Sequence, residues 1–158
     1  MPRLVVVLPL VPLQVGDGFS LKDWPLHLTV APTFVIGAEL PAVVAAIAAS
    51  LDQQRSVVVA VGKDEGFGHS GKIPVTLIEP AADLTGMHHR LVDALLQVGA
   101  VFDDPQFVGL GYRPHVTITR LARVSMGDSL TLRQAALVDM APAGDHRLRR
   151  VVWARSLR

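Results

Sequence analysis

The strongest constraint on this chain is a four-residue pattern that occurs twice, as His27-Leu28-Thr29-Val30 and as His115-Val116-Thr117-Ile118. Side chains alternate faces along an extended strand, so each copy turns a histidine and a threonine to one side and two apolar residues to the other. Proline precedes both, at Pro25 and Pro114. A chain with two such segments needs a fold in which two short strands are each backed by a core and each present a polar face. Among six histidines one accidental His-x-Thr carries little information, and the ordinary alternative is a pair of strands whose polar residues meet solvent. Repetition with matching apolar partners is what makes the pattern a signal.

The surrounding sequence supplies the core. Val5 to Leu8 is a β-branched run expected to form a strand buried on both faces, closing at Pro9 to Pro12. Those two prolines, and the lack of a small-x-small cleavage site, set Leu4 to Leu13 apart from a signal-peptide core. Gly16 to Asp23 is expected to be a loop and Leu26 to Val30 a short strand ended by Pro32. Glu39 to Leu51 has Val43, Val44, Ile47 and Leu51 at helical spacing with Pro41 in the first turn, which predicts a helix. Ser56 to Val61 and Ile73 to Ile78 predict an antiparallel pair joined by a long loop from Gly62 to Lys72.

A second helix is predicted over Asp83 to Val98, with Leu84, Met87, Leu91, Leu95 and Val98 on one stripe and Gly99 at its end. Strands return at Tyr112 to Arg120, Leu130 to Met140 and Arg147 to Ala154. Helices and strands interleave without regular βαβ alternation, which favours an α+β fold with antiparallel sheets. The length suits one domain over residues 1–158.

Composition narrows the chemistry. A formal net charge of +1 gives no global field for coating nucleic acid, so an anionic ligand must be held locally. Without cysteine there is no disulfide framework, thiolate metal site or thiol nucleophile, and a reducing cytoplasm is the default expectation. No apolar run approaches the ~20 residues that cross a bilayer, so no membrane partner is expected.

Two histidines and two threonines suit phosphoester chemistry. Displacement at phosphorus needs one group to take a proton from the attacking oxygen and another to give one to the departing oxygen. Imidazole, with an ordinary pKa of about 6.5, fills either role near neutrality. A threonine hydroxyl two residues along the same face can donate a hydrogen bond to a non-bridging phosphate oxygen. This scheme calls for no metal and no cofactor.

On these residues the chain resembles the two-histidine phosphoesterase superfamily, the group of 2′-5′ RNA ligase-like proteins and cyclic phosphodiesterases marked by two His-x-Thr/Ser-x motifs. The likeness covers nearly the whole chain and is closest over Arg113 to Arg123, RPHVTITRLAR. It implies a bilobal, pseudo-twofold arrangement of antiparallel sheets, with two main helices outside and a central cleft. It further implies that His27 and His115 act as general acid and base, in an order the sequence leaves open, while Thr29 and Thr117 bind phosphate. The implied reaction is metal-independent hydrolysis of 2′,3′-cyclic phosphates on nucleotides or RNA ends, or of related cyclic nucleotides. Ligation of 2′-5′ RNA ends is the reverse of the same chemistry, and a non-catalytic RNA- or nucleotide-binding module is a further reading. The expected partner is a nucleotide or RNA-end substrate, with no obligate protein partner implied.

Other segments give weaker signals. Gly66 to Lys72 satisfies two phosphate-loop patterns on paper, but both need a helix to follow, and Ile73 to Ile78 is strand-like. The segment reads as a loop from which His69 or Lys72 can reach a ligand. His88 and His89 point about 100° apart on a helix, poor geometry for one metal, and read as solvated or cap-adjacent. His146 stands where bacterial ligase-like relatives often carry an aromatic residue. With Arg147, Arg149 and Arg150 it reads as a solvated strand edge or, near a phosphate, as a substrate contact. Arg113 shares a strand face with His115 and Thr117 and can reach substrate, whereas Arg120 points away.

Overall fold

The computed structural model describes residues Met1–Arg158. In chain order the strands and main helices are β1 (Arg3–Pro9), β2 (Gly18–Ser20), β3 (His27–Val35), α1 (Leu40–Ser50), β4 (Val57–Phe67), β5 (Ile73–Ile78), α2 (Ala82–Gln97), β6 (Val101–Phe102), β7 (His115–Thr117), β8 (Ser129–Leu132), β9 (Gln134–Asp139) and β10 (Leu148–Ser156). All strand pairings are antiparallel, in the order β2-β10-β9-β1-β3-β7-β5-β4-β8, with β6 beside the far end of β3. The α+β architecture is the expected one. β3 and β7, the strands carrying the repeated pattern, meet at the centre, and the two lobes extend outward from that pair.

The alternation of β1 shows how the layers form. Leu4, Val6 and Leu8 join a core of 28 buried residues that includes Val43 and Ile47 of α1 and Leu84, Met87, Leu91 and Leu95 of α2. Val5 and Val7 face the other way, into a smaller cluster with Leu13, Ala136, Val138 and Val151. A strand covered on both sides has no solvent face to keep polar, which explains the uninterrupted apolar run. Both helices therefore cover the outer face of the sheet, and Leu28 and Val116 project into that same core. At the end of α2, Gly99 takes φ +96°, and the N–H of Ala100 returns to the Leu95 carbonyl.

Several expected boundaries are corrected. The segment expected to be a loop before Asp23 contains β2, a short edge strand on β10. β3 runs through Pro32 instead of stopping there, because two register shifts against β1 fall in this stretch and relieve proline of a ladder bond. β7 is only three residues long: Pro114 has no N–H to give, and the chain turns at Thr119, whose Oγ1 accepts from the N–H of Ala122. The strand expected over Leu130 to Met140 divides at Arg133 into β8, on the far edge beside β4, and β9, between β1 and β10. One alternating sequence thus serves both lobes.

The long loop expected from Gly62 to Lys72 is mostly strand, since β4 continues to Phe67 and only a tight turn at His69–Gly71 separates it from β5. Glycine at position 66 reflects close backbone approach: a Cβ there would lie 2.2 Å from the Gly71 carbonyl oxygen. Backbone on both sides leaves that contact no easy relief. Gly66→Ala is therefore expected to destabilise the fold by about 1–3 kcal/mol, read as a lower denaturant midpoint. An unchanged midpoint would mean the hairpin is looser than described.

Candidate active site

Leu28 of β3 pairs with Val116 of β7. In an antiparallel pair, that register sets His27 opposite Thr117 and Thr29 opposite His115, all four on the face away from the core. The two histidines are then diagonal neighbours, and such positions lie about 7–8 Å apart. That separation lets two rings approach one phosphate from opposite sides. The four residues line a cleft of about 920 Å³ on the inner face of the sheet. Val75 and Leu77 of β5 flank Thr117 and His115, while Val7 of β1 flanks Thr29, so apolar neighbours fix the strand positions on both sides.

Each imidazole is oriented in the same way. Nδ1 of His27 lies 2.8 Å from the Pro25 carbonyl oxygen, and Nδ1 of His115 lies 2.8 Å from the Arg113 carbonyl oxygen. A carbonyl only accepts, so Nδ1 carries the hydrogen in both rings and Nε2 is the nitrogen left for a ligand. In both copies the accepting carbonyl is two residues upstream; the prolines shape these two approaches from different places, Pro25 at the carbonyl itself and Pro114 one residue later. Each ring also rests on an aromatic side chain: Trp24 stacks on His27 at 4.0 Å between centroids, and Phe67 meets His115 edge-on at 4.5 Å.

Burial favours the neutral form of both rings. It pushes His27 down to about 4 against the opposing pull of the Pro25 carbonyl, with the charges of His115 and Arg149 adding to the depression. His115 is lowered chiefly by burial, opposed by the Arg113 carbonyl and reinforced by the Arg113 charge. Two neutral imidazoles with free Nε2 lone pairs can accept protons, and an arriving phosphate anion favours returning one.

The β3 backbone beneath the site is anchored by residues whose importance the sequence reading missed. Tyr112 Oη donates to the Thr29 carbonyl at 2.7 Å. His88, expected to be solvated, is fully buried: its Nδ1 lies 2.7 Å from the Val30 carbonyl, its Nε2 accepts from the Gly109 N–H at 3.0 Å, and its ring stacks on Tyr112 at 3.8 Å. The signal was present, since position 88 falls on the buried stripe of α2 four residues after Leu84. Trp24 was also missed, and nothing local in the sequence points it at His27.

Of the remaining candidates, Arg113 and His69 line the cleft. Arg113 pairs with Glu65 at 2.7 Å and its guanidinium lies 4.9 Å from the Phe67 ring centroid. His146 is a correction: it is exposed in the turn before β10 and is not among the cleft residues. Arg149, read with it as part of a solvated edge, is buried. Arg120 is not among the cleft residues and forms an ion pair with Asp23 at 2.9 Å.

Known proteins share this architecture. The profile of the 2′-5′ RNA ligase superfamily matches residues 14–151. Among solved structures, TT0787 of Thermus thermophilus is similar with a TM-score of 0.65 at 17% identity, covering 99% of this chain and 98% of its own. Escherichia coli LigT complexed with NADP+ is similar at 0.64 and 14% identity, covering 99% and 97%. The same protein complexed with 3′-AMP gives 0.62 and 14%, covering 99% and 98%. No protein with a curated description matches the chain.

Proposed function

Because the chain belongs to the 2′-5′ RNA ligase superfamily of two-histidine phosphoesterases, we propose that it hydrolyses 2′,3′-cyclic phosphates of nucleotides or RNA ends, with His27 and His115 as the acid-base pair. The observation that carries this reading is the central strand pair, which turns both His/Thr sets into one cleft with both Nε2 atoms unengaged. One neutral imidazole takes a proton from water as its oxygen bonds to phosphorus. The other, protonated, gives its proton to the ribose oxygen as the ring P–O bond breaks, leaving a nucleoside monophosphate. Thr29 and Thr117 donate hydrogen bonds to the non-bridging oxygens, where charge must be held during displacement. Arg113 and His69 stand at the cleft to contact the rest of the substrate. A nucleotide ligand agrees with the 3′-AMP complex of LigT.

The test is turnover of 2′,3′-cyclic mononucleotides, RNA 2′,3′-cyclic ends and cyclic dinucleotides with EDTA present, beside the reverse joining of 2′-5′ ends. Hydrolysis that survives EDTA supports the proposal. Binding without turnover in either direction contradicts it and identifies a nucleotide-binding module.

A distinctive pH dependence is expected. The base must be unprotonated, so kcat/KM rises with pH through its pKa; the acid must be protonated, so kcat/KM falls through the other. Both imidazoles are held below 6.5, His27 at about 4. The profile should therefore be a bell lying between about 4 and 6.5, with its falling limb below 6.5. The same depressed values mean that the folded state binds fewer protons than the unfolded chain, so stability declines as pH drops from 6.5 toward 4. Circular dichroism at each pH separates that loss from the acid limb. An optimum above neutrality would contradict the assignment.

A further inference from the structure

Behind each histidine the structure repeats the same order of groups: imidazole, aromatic ring, guanidinium. On one side His27 stacks on Trp24, and Arg149 lies 5.3 Å from the centroid of the Trp24 ring. On the other His115 meets Phe67, and Arg113 lies 4.9 Å from the centroid of that ring. The two halves differ in what balances the cation. Arg113 is paired with Glu65 at 2.7 Å and reaches solvent. Arg149 is 8% exposed and forms no ion pair; Nη1 alone is engaged, donating to the carbonyl oxygens of Met140, His146 and Leu148.

A purely structural tie explains those three bonds and nothing more. It leaves Arg149 Nε and Trp24 Nε1 both buried without an acceptor, an unfavourable arrangement that a neutral apolar pair at these positions would avoid. It also does not account for a lone cation at cation–π distance from the ring that carries His27.

We propose that Arg149 is a positioning residue which, through Trp24, fixes the His27 ring and, as an uncompensated cation, makes the two imidazoles unequal, so that a proton shared by the pair rests on His115. The charged and titratable surroundings support that direction. His27 is approached by Arg149 from β10 and by His115 from β7, with the Asp23–Arg120 ion pair next to Trp24 already self-neutralised. His115 is approached by Arg113, which also depresses it but is paired with Glu65 at 2.7 Å, with His69 on the same cleft wall. Asp103 and Asp104 also line the cleft, and Asp103 is paired with Arg3. Both rings feel a guanidinium, but the Arg149 acting on His27 has no carboxylate beside it, whereas the Arg113 acting on His115 is held in an ion pair. This inference takes the two-histidine reading as its starting point, but its test needs no substrate.

The ring signals of His27 and His115 are followed by NMR from pH 3.5 to 8 in the wild type and in Arg149→Met, Arg149→Lys and Glu65→Gln. In the wild type His27 is expected to titrate below His115. Arg149→Met should raise the His27 midpoint by roughly half a unit or more and leave His115 nearly unmoved, while Arg149→Lys, which keeps the charge, preserves the wild-type gap. Glu65→Gln, at an exposed ion pair, should lower His115 and narrow the gap from the other side, a reading that stands even if Arg149→Met does not fold. Overturning results are a gap unchanged in both Arg149→Met and Glu65→Gln, His115 titrating first in the wild type, or both rings moving together. A protein that shows the expected titrations yet turns over no phosphodiester would refute the proposed function and leave this inference standing.

Discussion

Replacing either His27 or His115 by alanine is expected to lower kcat on a 2′,3′-cyclic nucleotide by about 10²- to 10⁴-fold, with KM much less affected. The imidazoles act on protons that move only during the displacement, so their loss is felt in the transition state more than in binding. Both rings are partly buried on the cleft side of the sheet, while Leu28 and Val116 hold the strands from the core side, so the variants should remain folded. Because one proton passes in and another out in a single event, the double variant should fall little below the worse single one. Multiplicative losses would mean that the two histidines serve separate steps or separate sites.

The second large effect falls on the hydroxyls. Thr29→Val and Thr117→Val keep a β-branched side chain of nearly the same shape on a sheet surface, where the strand tolerates it well. Neither hydroxyl is engaged within the protein, so the change leaves no buried partner orphaned. What disappears is a hydrogen-bond donor aimed at a non-bridging oxygen. Loss of one such donor lowers kcat by about 10²- to 10³-fold. Thr→Ser at the same positions should retain most of the activity, because the hydroxyl remains. A valine variant with full kcat would remove threonine from the mechanism while leaving the histidines in place.

The sequence revealed the parts of this fold that depend on local alternation. His27-Leu28-Thr29 and His115-Val116-Thr117 could be read as two-faced strands because the period of two is written within each tripeptide, and both helices were legible from their apolar stripes. Pairing across the sheet was not. Nothing within residues 26–30 states that Leu28 meets Val116, yet that one register is what brings the four polar side chains into one cleft. The division at Arg133 was hidden for the same reason: both halves alternate alike, and only their neighbours, β4 for one and β1 with β10 for the other, distinguish them. Glycine content misled at Gly62 to Phe67, where the residue serves close backbone approach inside a strand as well as turning. The stacking of Trp24 on His27 and of His88 on Tyr112 brings in residues outside the repeated pattern, and nothing in the pattern itself states these contacts, so only the assembled fold displays them.

Two-histidine catalysis requires both imidazoles to address one phosphate. The most direct measurement is an NMR titration of a nucleoside 2′- or 3′-monophosphate into the protein, following the phosphorus resonance together with the Nε2 resonances of His27 and His115. Both nitrogens should shift along a single binding curve shared with the phosphorus. A curve in which phosphorus saturates while one of the two nitrogens stays unmoved would show that the phosphate is held by one half of the cleft alone, and the two-histidine mechanism would fail.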